Sequence, residues 1–183
     1  TFDSRIVDHV VAPRLGKGGR YRSFGKVLPL PAYYFATLAR WNELALLKGS
    51  SDLRELKELA RFALEPDPLH DFIALVENDL GFALYRAVSA AKMALSSQNA
   101  VDFTFSEEGI DINAMITRPD FEGWIADDLA RISTTVDQVL ANADIDAQSV
   151  EKVFLTGGTS FVPAVKRIFV ERFGEEKLTS ADQ

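Results

Sequence analysis

The sequence predicts a helix-rich α+β fold, and three observations carry that reading. Apolar residues recur at helical spacing through six segments. One stretch alternates apolar and polar residues on both sides of an acidic, glycine-ended turn. An apolar, partly β-branched run, Val153-Phe154-Leu155, ends in two glycines shortly before a proline-opened helix. A length of 183 residues with 47% hydrophobic content fits one domain, or one and a fraction, around a substantial core.

Taken in order, Asp3 or Ser4 can cap a helix over residues 3–12, with Ile6, Val7, Val10 and Val11 as its apolar stripe. Pro13, Gly16, Gly18 and Gly19 break regularity, so the chain to about residue 30 reads as a loop. Pro31 opens a second helix over residues 32–47, dense in rings at Tyr33, Tyr34, Phe35 and Trp41. Gly49-Ser50-Ser51-Asp52 is a stop followed by a cap. Leu53, Leu56, Leu59, Ala60 and Ala63 then mark a third helix, closed by Pro66 and Pro68. Leu69 to Ser97 reads as one long helix whose weak point is Gly81, a residue costing about 1 kcal/mol against alanine.

Val101, Phe103 and Phe105 alternate with polar residues, as do Ile110, Ile112 and Ala114. Glu107-Glu108-Gly109 between them makes this a hairpin with one buried face. Thr117 and Asp120 have capping-box spacing and open a long helix carrying Phe121, Ile125, Leu129, Ile132, Val136 and Leu140. After a turn at residues 142–146 comes a buried strand, the Gly157-Gly158 turn, and a helix opened by Pro163 and stopped by Gly174.

Composition narrows the function classes. A net charge of −7 and a pI near 4.9 argue against a surface built for nucleic acid or anionic lipid. Without cysteine there is no disulfide scaffold and no thiol catalysis; a reducing compartment is permitted by this and not proved by it, and the expected localisation is cytoplasmic. No apolar run approaches the roughly 20 residues that span a bilayer. Thr1 stands where an initiator methionine is absent, so the sequence reads as a piece of something longer. The basic cluster Arg14, Lys17, Arg20, Arg22 and Lys26 reads as a solvated loop. His9 and His70 are solitary, the acid pairs 107–108, 127–128 and 175–176 read as solvated faces, and no spacing suggests a metal.

Two features carry chemistry. The strand–Gly-Gly–helix junction lets backbone approach a ligand closely and offers N–H groups to an anion, of which a nucleotide phosphate is the expected one. By itself it fits a plain tight turn equally well. Neither the Walker-A lysine pattern nor G-x-G-x-x-G occurs anywhere in the chain. At the end of the long helix, Ser89, Lys92, Met93 and Ser96 share one arc beside the apolar stripe of Leu84, Val88, Ala91 and Leu95. Such a face can hold a ribose and one side of a purine, or it is simply a solvated helix end.

Four segments together resemble the second half of the nucleotide-binding domain of DnaK-type (seventy-kilodalton heat-shock) chaperones. They are Phe2-Asp3-Ser4-Arg5-Ile6-Val7-Asp8-His9; Ala91-Lys92-Met93-Ala94-Leu95-Ser96-Ser97; Gly109-Ile110-Asp111-Ile112 with Ile116-Thr117-Arg118-Pro119-Asp120-Phe121-Glu122; and residues 153–163. The resemblance covers residues 1–15 and 85–174, while 16–84 resemble the mainstream family poorly. It implies the C-terminal half (lobe II) of an actin-like ATPase domain from a divergent bacterial branch. Residues 1–150 would form a helical subdomain with a β-hairpin, including a divergent insert at 16–84, and 151–183 part of a nucleotide-binding subdomain.

The resemblance further implies adenosine between the helix face and the glycine loop. Lys92 and Ser96 fall where the family contacts ribose and adenine, and Gly157, Gly158 and Thr159 where its loop approaches phosphate. Ser89 stands in place of a ribose-binding glutamate, Met93 in place of an arginine lying on the base, and Phe161 in place of a stacking arginine. A thioether or ring still covers a purine face, whereas the lost glutamate removes a ribose acceptor.

The implied cofactor is ATP or ADP, with Mg²⁺ held by residues outside this chain. The phosphate loops and the lysine that positions water in the family are absent, so this piece alone is expected not to hydrolyse ATP although its parent would. An exchange factor or co-chaperone docking on the insert is the expected protein partner, with no nucleic acid or membrane. Two alternatives remain: an actin-like non-chaperone ATPase, and a helical interaction module that no longer binds nucleotide.

Overall fold

The computed structural model describes residues 1–180. Its elements are, in order, α1 (Phe2–Ile6), a π-helical turn (Val7–Val11), α2 (Ala12–Arg14), β1 (Arg20–Ser23), β2 (Lys26–Pro29) and α3 (Tyr33–Ala36). There follow α4 (Trp41–Leu47), α5 (Ser51–Phe62), α6 (Asp67–Glu77), α7 (Gly81–Ser97), β3 (Ala100–Glu107) and β4 (Ile110–Thr117). The chain closes with α8 (Arg118–Trp124), α9 (Ala126–Ala143), β5 (Val153–Leu155), a 3-10 turn (Gly158–Phe161), α10 (Pro163–Phe173) and β6 (Leu178–Ser180). The strands form three two-stranded sheets: β1-β2, β3-β4 and β5-β6. No helix among the described residues is long and apolar enough to cross a membrane.

Contacts divide the chain into two compact units, one of residues 1–91 with 101–116, the other of residues 92–100 with 117 onward. The first is built on helices. Ile6, Val11 and Leu15 are fully buried, as are Leu69, Phe72 and Leu75 of α6, and the ring of Phe35 stacks on Phe72 at 5.5 Å. Burying such a side chain contributes about 1.5–3 kcal/mol. Helix α5 packs on α6 and β1, and its buried Leu53, Leu56 and Ala60 follow the expected stripe. Its cap also follows the sequence: Gly49 adopts φ +110° and the Ser50 hydroxyl accepts from the Leu53 N–H at 3.2 Å. The β3-β4 hairpin buries Phe103, Phe105, Ile110 and Ile112 on one face. Glu108 (φ +48°) and Gly109 (φ +85°) form its two-residue turn, the primed geometry that matches strand twist.

Several boundaries differ from the sequence expectation. The first helix does not stop before Pro13 but runs on to Arg14, because the π turn relieves the clash of the proline ring with the preceding turn. The expected loop to residue 30 contains the β1-β2 hairpin, paired Arg20↔Pro29 through Ser23↔Lys26. Its two four-residue strands bury no side chain fully and so lack the apolar face that marks a half-buried sheet. The helix expected over residues 32–47 breaks at Arg40, whose φ −129° and ψ 79° are not helical.

The long helix over residues 69–97 is two helices. The break falls at residues 78–80, just before Gly81, where Asp79 takes φ +55° and the Leu80 N–H returns to the Leu75 carbonyl in a left-handed C-terminal cap.

In the second unit, the Thr117 hydroxyl caps α8 by accepting from the Asp120 N–H at 3.2 Å, as its spacing predicts. The helix pauses at Ile125 (φ −97°, ψ 5°) before α9 begins. Arg172 of α10 braces α9, its Nε and one terminal nitrogen donating to the two Asp137 carboxylate oxygens at 2.7 and 2.9 Å. The same nitrogen reaches the Ser133 hydroxyl at 2.6 Å. Strand β5 pairs in parallel with β6, which the sequence reading missed, in the register Val153↔Leu178 to Leu155↔Ser180. Leu155 is buried but Phe154 is 67% exposed, so β5 is covered on one face only and is not the fully buried strand expected.

Candidate functional site

Seven of the eight candidate residues (Lys92, Met93, Ser96, Gly157, Gly158, Thr159 and Phe161) fall in the second unit. Ser89, half-buried one turn earlier on α7, belongs to the first. Lys92 is 8% exposed and is the charged side chain that the fold buries among the described residues. Met93, its neighbour, is 65% exposed, and Ser96 is half-buried with its hydroxyl donating to the Met93 carbonyl at 2.6 Å. Ser96 therefore keeps its lone pairs as acceptors while its proton is spent within the helix.

The end of α7 is held by a residue that the sequence reading quoted but did not single out. The Arg118 Nε donates to the Leu95 carbonyl at 3.0 Å, and a terminal nitrogen donates to the Gln98 carbonyl at 2.9 Å. The Arg118 N–H adds a bond to the Asn99 carbonyl at 2.8 Å. A guanidinium thus meets carbonyls that have no intrahelical partner, where the helix carries its partial negative charge. A partner about twenty residues back in the chain leaves no local pattern by which to see this. The only signal was an arginine beside Pro119 in the first turn of the next helix.

The glycine loop is built differently. Gly157 sits at φ 82°, ψ 155°, backbone that glycine alone adopts at ease. Its carbonyl accepts from both the Ser160 N–H at 2.9 Å and the Ser160 hydroxyl at 2.7 Å, closing the 3-10 turn. Gly158 has no positive φ, and a Cβ added there would meet nothing within 4 Å. Neither backbone geometry nor packing inside the described protein requires glycine at 158. The N–H groups of Gly158 and Thr159 open the turn, where no intrahelical acceptor exists, and both residues are exposed. Val162 then receives the first bonds of α10, from the Val165 and Lys166 N–H groups. Phe161 is 44% exposed.

The acid pairs named from the sequence are exposed or engaged in ion pairs: Glu175 takes Lys166 at 2.8 Å, and Asp128 pairs with Arg131. Among the described residues no group of three or more His, Cys, Asp or Glu is placed to hold a metal.

A helix-rich body with small sheets and a strand–Gly-Gly–3-10–helix unit is compatible with part of an actin-like ATPase domain. The sequence model of the Hsp70 protein family matches residues 77–183, and the chain belongs to that family. It is similar to the chaperone protein HscA of Pectobacterium atrosepticum, 32% identical over 159 residues, covering 85% of this chain and 24% of HscA. It is 33% identical over 100 residues to hypoxia up-regulated protein 1 of Xenopus laevis, covering 52% of this chain and 15% of that protein. A heat shock 70 kDa protein of Emericella nidulans is 35% identical over 95 residues, 51% of this chain and 15% of its own length. The chain thus spans a quarter or less of the length of these relatives.

Proposed function

We propose that this chain supplies the adenosine side, and part of the phosphate cradle, of a nucleotide site in an Hsp70-family chaperone. Lys92 and Ser96, with Ser89 a turn earlier, meet the ribose and base. Met93 and Phe161 cover the purine with a thioether and a ring, and Gly157, Gly158 and Thr159 face the phosphates. The observation that carries this reading is Gly158, a glycine the protein's own packing and dihedral do not require, beside free N–H groups in a segment that the family model covers. Open space above a glycine is what close backbone approach to a phosphate uses.

ATP or ADP with Mg²⁺ is the implied cofactor, the metal being held by residues outside this chain. Bound nucleotide supplies the phosphoryl group whose transfer depends on positioning and on charge neutralisation. This chain's residues orient the nucleoside, and the ATPase activity belongs to the longer protein. In that reading the chain is lobe II of the actin-like domain in a cytoplasmic chaperone of a divergent bacterial branch, and a nucleotide-exchange factor or co-chaperone docks on residues 16–84.

Calorimetric titration of ADP into the complete protein tests the site. Saturable heat that Gly158→Val removes is the expected result, and no heat at about millimolar ADP (a binding free energy of roughly −4 kcal/mol) overturns it. The replacements at Ser89, Met93 and Phe161 favour one second reading, a family member that keeps the fold without the ligand. That same null titration would establish it.

A further inference from the structure

The β1-β2 hairpin, α3 and α5 enclose an open, largely apolar groove of about 960 Å³ within the first unit. Its walls include three rings left in solvent: Phe24, wholly exposed at the hairpin tip, Tyr33 at 53% and Phe62 at 58%. Phe24 also holds φ +47°. A bulky side chain in the left-handed region is a strained choice where the turn would favour asparagine or glycine. Backbone strain that presents an aromatic ring to water points to a role outside the fold.

The charges of the groove say what fits it. Its two carboxylates are already engaged: Glu55 accepts from the Tyr34 hydroxyl at 3.0 Å, and Glu58 pairs with Arg61 at 3.1 Å. Its two guanidiniums, Arg22 and Arg54, have no acidic partner among the described residues. Residues 14–26 around the hairpin carry five cations and no acid in a chain whose net charge is −7. We infer that this groove docks a short acidic, apolar peptide segment of a partner protein, whose carboxylates meet Arg22 and Arg54 while its apolar side chains lie on Phe24, Tyr33 and Phe62. Glu55 and Glu58 within the same groove disfavour a continuous phosphate backbone, whereas a peptide can place its few carboxylates away from them. The site is separate from the proposed nucleotide site, and its test uses no nucleotide.

Fluorescence anisotropy of the whole chain with a labelled peptide of alternating aspartate and leucine or phenylalanine tests the inference. Two further probes are the same peptide with lysine for aspartate, and oligothymidylate. The expected result is saturable binding of the aspartate peptide, weakened by added salt. Arg22→Glu combined with Arg54→Glu, and separately Phe62→Ala, should each weaken it at least about tenfold. All three positions are exposed and circular dichroism verifies folding. The charge-reversed double variant should prefer the lysine peptide, a gain that misfolding cannot produce. Equal binding of the two peptides, absence of saturation, or tighter binding of oligothymidylate overturns the inference, the last in favour of a nucleic-acid surface.

Discussion

Adjacent glycines at 157 and 158 should respond to alanine in opposite ways. At φ 82°, ψ 155°, Gly157 lies in a region where an L side chain is strained, at a cost of about 1–3 kcal/mol. A Cβ there meets no neighbour within 4 Å, so the cost is conformational rather than steric. Gly158 has an ordinary φ and equally open surroundings, so Gly158→Ala should be stability-neutral or gain up to about 1 kcal/mol through the unfolded chain. Urea unfolding followed by circular dichroism measures both changes, with the denaturant slope checked for constancy. Nucleotide titration of the complete protein then supplies the second axis: Gly158→Val should lose ADP affinity without losing stability. If Gly158→Ala destabilises as much as Gly157→Ala, position 158 is structural and the case for a cradle fails.

Three other outcomes are expected. Arg118→Met keeps the aliphatic stem but removes two charge-assisted bonds to the end of α7. It should cost about 1–2 kcal/mol and speed hydrogen exchange at the Gln98 amide, which bonds the Ala94 carbonyl, and an unchanged exchange rate would refute the clamp. Phe72→Ala, at a fully buried ring stacked on Phe35, should cost about 3–5 kcal/mol in thermal or urea unfolding. The Arg172 guanidinium holds the Asp137 carboxyl below its ordinary value of 3.8. Because the folded value is the lower one, the pair's contribution is complete above pH of about 4 and is lost as pH falls further. Asp137→Asn should therefore narrow its stability gap from the parent only in that acid range, as read by unfolding from about pH 2 to 7. A gap independent of pH would contradict the ion pair.

The glycine turn and the helix after it were legible because their signals are local. Gly157 before the 3-10 turn, Pro163 at the first turn of α10 and Gly174 beyond its end answer to dihedral limits of single residues, and each stands where the pattern put it. Ser50 and Thr117 were legible for the same reason, since a cap is a bond between residues three apart. The β3-β4 face was legible because alternation across a sheet has a period of two. The β1-β2 hairpin was not, since its strands expose most of their residues and leave no such period. The break at Asp79 was hidden because apolar spacing continues across it, and the pairing of β6 with β5 because parallel partners are distant in sequence.

By itself, then, the sequence determined the helix-rich class, the caps at Ser50 and Thr117 and the two hairpin-face strands, all set by neighbours within a turn or two. The first helix, by contrast, is capped by Thr1 rather than by the expected Asp3 or Ser4. Only the tertiary structure decided that Lys92 is buried while Met93 is open, that Arg118 holds the end of α7, and that Gly158 is unconstrained by its own protein. It alone also set Arg22, Arg54 and three exposed rings around one groove. Those facts depend on contacts between segments distant in the chain, which packing selects and local periodicity does not encode.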